Sequence, residues 1–149
     1  MTLIEWMPGN ELPDADRARR PRARHTGLEW LTALEMARAQ RGRDDLGRLP
    51  HGDGHPVLVL PGFLAGPTST KFLREVLKDL GYYAHDWKLG TNLGVNPSME
   101  AKLRARLSRL HEQHGRGISV IGWSAGGIYA RELAREYPEL IRNVITLGS

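Results

Sequence analysis

The feature that most constrains this chain is the segment Ile118–Tyr137, where a short apolar run passes directly into an amphipathic one. The apolar run begins with Ile-Ser-Val-Ile and is rich in β-branched residues, which indicates a buried strand. In the amphipathic part, Ile128, Leu133 and Ala134 are expected to share one helical face. Between the two parts lies Gly122-Trp123-Ser124-Ala125-Gly126, which has the pattern G-x-S-x-G. The segment therefore predicts a strand that turns sharply into a helix at the serine.

Such a turn has chemical consequences for Ser124. A strand that becomes a helix at once leaves the residue at the turn strained, with its side chain pushed outward, and the flanking glycines permit close backbone approach. The start of the helix adds partial positive charge where an oxyanion would form. Ser124 is therefore a candidate nucleophile, and the Ala125 N–H is a candidate oxyanion donor. The alternative is a glycine-rich turn without chemistry, and the strand before and helix after favour the first interpretation.

Composition limits the other possibilities. A chain of 149 residues with 40% hydrophobic and 26% charged residues is typical of a globular protein with one substantial core. The lack of cysteine excludes disulfides, thiolate metal sites and a cysteine nucleophile, and it fits a reducing compartment. No apolar run approaches the length of a transmembrane helix, and Arg19-Arg20 is not followed by the apolar stretch of an export signal. The predicted location is therefore cytoplasmic.

Residues 1–54 are predicted to form a basic arm, a helix over Leu28–Arg41 and a linker over Gly42–Gly54. Much of the net charge of +4 comes from arginines between Arg17 and Arg24. This cluster suits a phosphate, an anionic membrane or nucleic acid, but a solvated tail is favoured because no aromatic residue interleaves it. No nucleic-acid partner is expected.

The linker also contains His51, Asp53 and His55, residue types that can bind a metal. No further ligand cluster accompanies them, so a surface loop is the preferred interpretation. The sequence predicts no metal site and no cofactor.

Residues 55–149 alternate strands with helices. The predicted strands are Val57–Leu60, Tyr82–Trp87, the run from Ile118, and Val144–Leu147. Val57–Leu60 is uninterrupted and apolar, as in a parallel strand covered on both faces, whereas Tyr82–Trp87 is less apolar and is expected nearer an edge. This alternation predicts an α/β domain with a parallel, doubly wound sheet.

Two helices separate the first three strands. The first is predicted to be capped by Thr68, Ser69 or Thr70, to reach Leu80 and to stop at Gly81. The second begins with Asn96 as cap and Pro97 in the first position. Its apolar stripe is Met99, Leu103, Leu107 and Leu110.

These features resemble the α/β-hydrolase fold, and more narrowly its lipase and esterase branch. The resemblance spans about Val57 to Ser149. It is carried by Pro61-Gly62-Phe63 after the first strand, by Gly122-Trp123-Ser124-Ala125-Gly126, and by the Val144–Leu147 strand.

The resemblance implies that the loop after the first strand supplies a second oxyanion donor, which would be the Phe63 N–H. Many lipases have a histidine where this chain has Pro61. Because the donor is a backbone group the change need not matter, but what orients the loop is left open. Phe63, Leu64 and Trp123 would provide apolar surface for the acyl group, with ordinary core packing as the alternative.

In that family a catalytic Asp or Glu and then a His follow the nucleophile, on loops after later strands. This chain ends at Ser149, before both. The expectation is thus the N-terminal part of a hydrolase domain, incomplete at its C-terminal end and inactive in this form. The Val144–Leu147 strand would then be an unpaired apolar edge that another copy of the chain could pair with.

Histidines within the chain are not expected to replace the missing base. His85 lies beside Asp86 near the end of a strand, but adjacent strand residues point to opposite faces. His111 and His114 close a helix that leads back to the start of a strand, at the wrong edge of the sheet.

The expected function is a serine hydrolase of small-molecule or lipid carboxylic esters. One alternative is a hydrolase-like binding or scaffold module without turnover. Another is an acyltransferase that uses the same nucleophile.

Overall fold

The structure is a computed structural model that describes residues 48–94 and 96–149. Pro50–Ser149 forms one compact unit. The predicted Leu28–Arg41 helix and the Arg17–Arg24 cluster lie outside the described residues.

The compact unit is built on four parallel strands that alternate with helices. The strands are β1 Pro56–Leu60, β2 Tyr83–Asp86, β3 Ile118–Trp123 and β4 Ile141–Leu147, in the order β2-β1-β3-β4. The helices are α1 Lys71–Asp79, α2 Pro97–His114 and α3 Ala125–Glu136. Every strand pair is parallel. The predicted parallel α/β architecture is thereby confirmed.

Both faces of the central strand β1 are covered, as its unbroken apolar run predicts. Val57 and Val59 point to one face, where Leu73 and Leu77 of α1 pack. Their neighbours on β1 point to the opposite face and pack with residues of α2 and α3. That larger cluster contains Leu58, Leu60, Trp87, Leu103, Leu107, Leu110, Ile118, Val120, Tyr129, Ala130 and Leu133. The helices thus lie on both sides of the sheet.

The predicted ends of α2 are confirmed. The Met99 N–H donates to the side-chain oxygen of Asn96 at 2.8 Å, and Pro97 occupies the first turn, where an N–H would have no intrahelical acceptor. Gly115 ends the helix with φ 60°, a conformation that glycine adopts without steric cost.

The start of the first helix differs from the prediction. A 3-10 turn, Pro67–Thr70, precedes α1, and no side chain among Thr68, Ser69 and Thr70 caps the α-helix itself. The Ser69 and Thr70 hydroxyls instead donate to the Gly66 and Pro67 carbonyls. The polar residues therefore stabilise the tight turn before the helix.

The buried face of α3 also differs from the prediction. Ile128 is 40% exposed, while Tyr129, Ala130 and Leu133 are buried. Ile128 and Leu133 are five positions apart, which places them about 140° apart around a helix of 3.6 residues per turn. The grouping of Ile128 with Leu133 was therefore wrong.

β2 and β4 are the two edges of the sheet, so the predicted edge position of the second strand is confirmed. On β4, Ile145 and Leu147 are exposed. Pairing of this edge with another copy of the chain stays a prediction. Within the described part of the chain, no helix combines the length and apolar character needed to span a membrane, and the cellular compartment also stays a prediction.

The strand order creates a switch point between β1 and β3. From β1 the chain turns to one side to form β2, then crosses back over β1 to form β3 and β4 on the other side. In open parallel sheets, ligands bind outside the carboxyl ends of the strands at such a point. The segments that follow β1 and β3 meet there.

Candidate active site

Ser124 stands at the carboxyl end of β3, immediately before α3. Its backbone has φ 50° and ψ −121°, a strained conformation for a residue with a side chain, and it is exposed. The Ser124 N–H donates to the Leu147 carbonyl at 2.8 Å, and the Ser124 carbonyl accepts from the Gly127 N–H at 2.8 Å. β4 and the start of α3 therefore hold the turn from both sides, and the predicted strand-to-helix turn at Ser124 is confirmed.

Two glycines allow this turn to pack closely. A Cβ on Gly122 would collide with the Gly126 carbonyl, one turn into the helix. A Cβ on Gly126 would lie 2.5 Å from the Leu60 carbonyl oxygen and 2.9 Å from that of Pro61. Because backbone atoms cannot yield as a flexible side chain does, both positions require glycine.

The loop after β1 lies against the serine. A Cβ on Gly62 would be 3.4 Å from Ser124 Cβ and 4.0 Å from its Oγ. The next N–H groups have acceptors: Leu64 donates to the Asn92 carbonyl at 2.7 Å, and Ala65 donates to the Gly62 carbonyl at 3.2 Å. Among residues 48–94 and 96–149, nothing accepts a hydrogen bond from the Phe63 N–H. The role of this N–H as an oxyanion donor stays a prediction.

The apolar residues predicted to contact substrate are on the surface. Phe63 is 58% exposed, Leu64 is 66% exposed and Trp123 is 45% exposed. Ordinary core packing is therefore excluded for all three. Their contact with an acyl group stays a prediction.

Asn92 is a site residue that the sequence analysis missed. Asn92 is fully buried, and its side-chain N–H donates to the Pro61 carbonyl at 3.0 Å. Its Oδ1 accepts from the Tyr129 hydroxyl at 3.0 Å and from the Gly94 N–H at 3.1 Å. Burial raises the pKa of Tyr129, so this hydroxyl keeps its proton at neutral pH. The only feature of the sequence that could have indicated Asn92 is its place in the segment that follows the carboxyl end of β2.

The histidines near the ends of β2 and α2 lie away from the serine. His85 Nε2 is 2.9 Å from His114 Nε2. Burial and the neighbouring His114 lower the pKa of His85 to about 4. His85 pairs with Leu58, which pairs with Val120 on β3. Ser124 therefore lies two strands across and four residues further along the strand direction, a diagonal distance of about 16 Å. Within the described ranges, no hydrogen bond joins Ser124 Oγ to another side chain.

A second serine, Ser119, forms a hydrogen-bonded Ser–His–Asp relay at the amino ends of the strands, at the opposite end of β3 from Ser124. His55 Nε2 is 2.8 Å from Ser119 Oγ, and His55 Nδ1 is 2.5 Å from Asp53 Oδ1. Arg116 and Arg142 donate to the other Asp53 oxygen, and Arg142 and His55 hold the pKa of that carboxyl well below its usual range. Ser119 is 4% exposed and lies within β3 near its amino end.

The predicted surface loop is confirmed for His51 and Asp53, which are exposed, but the prediction is wrong for His55, which is buried. Ser119 is buried, and the relay lies at the amino ends of the strands, whereas α/β sheets bind ligands at the carboxyl ends. The relay therefore fastens the segment before β1 to the sheet. In the part of the chain that the structure describes, no three His, Asp or Glu residues are grouped so that they could hold a metal.

Comparison with known proteins supports the fold. The structure is similar to that of lipase BlEst2 of Bacillus licheniformis in its propeptide form, with a TM-score of 0.50 and 22% sequence identity. The similar region covers 67% of this chain and 23% of the lipase chain. No family model and no curated protein sequence matches this chain. The likeness shows a shared α/β fold of the kind a lipase uses, and the chain spans about a quarter of that lipase's length.

Proposed function

We propose that this chain carries the nucleophile and the oxyanion site of a serine hydrolase that acts on carboxylic esters. Ser124 is the nucleophile, and the backbone N–H groups of Phe63 and Ala125 stabilise the oxyanion. The observation that supports this most strongly is the conformation of Ser124. An exposed hydroxyl on a strained residue, between the end of β3 and the start of α3, matches the requirements of a nucleophile at a strand-to-helix turn.

The surroundings of Ser124 favour negative charge. Ala125 is the first residue of a 12-residue helix, so its N–H has no intrahelical acceptor and the helix start carries partial positive charge. The Phe63 N–H comes from the loop that packs against the serine. Two donors at a developing oxyanion are the arrangement that stabilises tetrahedral intermediates of acyl transfer.

The reaction has two halves. Ser124 Oγ attacks the acyl carbon and its proton passes to a base, while the carbonyl oxygen becomes the oxyanion. The intermediate collapses, the base returns the proton to the leaving alkoxide, and water then releases the acid by the same steps. Since no described histidine reaches Ser124, the base and the acid that orients it come from outside residues 48–94 and 96–149.

The exposed side chains of Phe63, Leu64 and Trp123 suit an apolar acyl group. Burying such surface against a substrate chain contributes about 25 cal/mol for each Å² of apolar area. Small-molecule or lipid esters are therefore the proposed substrates. No cofactor takes part in this reaction.

The proposal is tested by covalent labelling. A fluorophosphonate probe reacted with the full-length protein should label Ser124, and peptide mass spectrometry should locate the adduct. The variant Ser124→Ala should lose the label. Ser119→Ala is the matched control, since Ser119, unlike Ser124, has a histidine partner among the described residues, and this variant should keep the label. An adduct on Ser119, or none on either serine, would refute the proposal.

A non-catalytic role remains the second candidate, and the exposed edge β4 favours it. Ile145 is 48% exposed and Leu147 is 41% exposed on a strand that, among the described strands, pairs only with β3. Such an edge can pair with a strand of a second copy. Sedimentation tests this candidate: a dimer that is lost on Ile145→Lys, in a protein that the probe does not label, would favour assembly over catalysis. An acyltransferase would label like a hydrolase but prefer an alcohol acceptor to water.

A further inference from the structure

The loop that would supply an oxyanion donor is held by one buried residue, through both its side chain and its backbone. Asn92 is fully buried, although it lies in the irregular segment between β2 and α2. Unpaired polar groups are costly to bury, and each bond that Asn92 forms therefore constrains its partner. The partners lie on either side of Phe63.

The bonds of Asn92 fix the peptide groups around Phe63. Its side-chain N–H donates to the Pro61 carbonyl, which orients the peptide between Pro61 and Gly62. Its backbone carbonyl accepts from the Leu64 N–H, which orients the peptide that follows Phe63. Its own N–H donates to the Ala65 carbonyl at 2.9 Å. The peptide that bears the Phe63 N–H lies between two groups held by Asn92, and its own donor is left without an acceptor among the described residues.

Tyr129 connects this clamp to the helix of the nucleophile. It is buried on α3, four residues after Ala125, and its hydroxyl donates to Asn92 Oδ1. The Gly94 N–H, which can only donate, binds the same oxygen and so leaves the Asn92 N–H₂ group to face the Pro61 carbonyl. The helix that begins at the serine and the loop that packs against it therefore share one hydrogen-bond network.

We propose that Asn92 is a positioning residue, which with Tyr129 sets the direction of the Phe63 N–H relative to Ser124. The inference rests on the proposed function for its catalytic consequence, but the positioning of the loop stands independently. It also answers how the loop is oriented when proline occupies position 61. A misplacement of about 1 Å costs a reaction about 100-fold, so the effect on turnover should be large.

The test compares three variants and a control in the full-length protein. Asn92→Ala removes the whole side chain, whereas Asn92→Asp keeps an acceptor for Tyr129 and removes the donation to Pro61. Tyr129→Phe removes only the hydroxyl. Trp87→Phe is the matched control, because Trp87 is also buried and, among the described residues, its indole N–H bonds only to Gly90 in the same segment.

Two readouts separate catalysis from positioning. With a p-nitrophenyl ester, both Asn92 variants should lower kcat about 100-fold with KM changed less than about 3-fold, since an oxyanion donor acts mainly in the transition state. Tyr129→Phe should lower kcat about 5-fold, the value of one neutral hydrogen bond. In amide hydrogen exchange, the Leu64 N–H should exchange at least about 10-fold faster in the Asn92 variants than in Trp87→Phe.

The outcomes are distinguishable. If the wild-type protein neither hydrolyses esters nor reacts at Ser124, the proposed function fails, and the exchange rate of the Leu64 amide alone decides the positioning. Unchanged exchange at Leu64 in a folded Asn92 variant would overturn the inference, as would a kcat in Tyr129→Phe equal to that of the wild type. If the Asn92 variants do not fold, Tyr129→Phe decides by both readouts.

Discussion

Replacing Ser124 with glycine should stabilise this protein, although glycine usually destabilises regular structure. Ser124 has φ 50° and ψ −121°. A residue with a side chain held in such a region costs about 1–3 kcal/mol, and glycine avoids that cost. Glycine also gives the unfolded chain more freedom, which offsets about 0.4–1 kcal/mol. The net gain in the free energy of unfolding is about 0.5–2 kcal/mol relative to alanine.

Alanine is the correct reference for this comparison. Ser124→Ala keeps the Cβ, and with it the strain, while it removes a hydroxyl that bonds to no other described side chain. We therefore expect Ser124→Ala to lie within about 0.5 kcal/mol of the wild type, as surface substitutions usually do. For a unit of this size, 1 kcal/mol shifts Tm by about 4–8 °C.

Urea unfolding of the two variants gives the difference directly, provided that the m-values agree. The control is the same pair of substitutions at Arg131, an exposed position in α3. There Arg131→Gly should be less stable than Arg131→Ala by about 1 kcal/mol, the ordinary helical penalty. If Ser124→Gly is also less stable than Ser124→Ala by that amount, the strain at the turn is not present and the geometry argued for the nucleophile is wrong.

Three further predictions test other parts of the site. Gly126→Ala should cost about 3 kcal/mol by urea unfolding because its Cβ meets backbone atoms, whereas Gly66→Ala, with 3.6 Å to its nearest neighbour, should cost less than about 0.5 kcal/mol. His85 has a pKa of about 4 against an ordinary 6.5, so the unfolded chain binds more protons between these values. Stability should therefore fall as pH is lowered from 6.5 to 4, and His85→Gln should reduce the fall by about 1 kcal/mol after allowance for solvent screening; an identical pH profile in the variant would contradict this. Ser119→Ala should lower the free energy of unfolding by about 1–3 kcal/mol, because His55 loses a buried partner; thermal unfolding equal to wild type would show that this relay does not fasten the sheet.

The parts of the fold that follow from neighbouring residues were predictable. Asn96 followed by Pro97 starts a helix because the cap and the fixed φ act within one turn. The apolar run Val57–Leu60 implied a strand covered on both sides because each residue, whichever way it pointed, was apolar. The bend at Ser124 followed from glycines on either side of it, which permit the close contacts seen in the structure. In each case the physical cause lies within a few residues of its effect.

The parts that were missed depend on distant residues. Asn92 is joined to Pro61 across 31 positions and to Tyr129 across 37, and no local pattern marks it. His55 reaches Ser119 across 64 positions, so a polar linker and a buried relay have the same sequence signature. Ile128 was misassigned for a different reason: it lies five positions from Leu133, about 140° around the helix, so the two side chains do not share a face.

Comparing Ser119, which lies within β3, with Ser124, which follows β3, shows how a buried hydrogen-bonded relay differs from a candidate active site. Ser119 is hydrogen-bonded to His55, which is bonded in turn to Asp53, but Ser119 is buried and lies near the amino end of β3. Ser124 has access, a helix start and a loop N–H without an acceptor among the described residues, at the edge where parallel sheets bind ligands. A base can be contributed by any loop that reaches the serine, whereas the donors and the bend must be built into the sheet itself. For this reason the position of Ser124, rather than the presence of a histidine partner, identifies the candidate nucleophile.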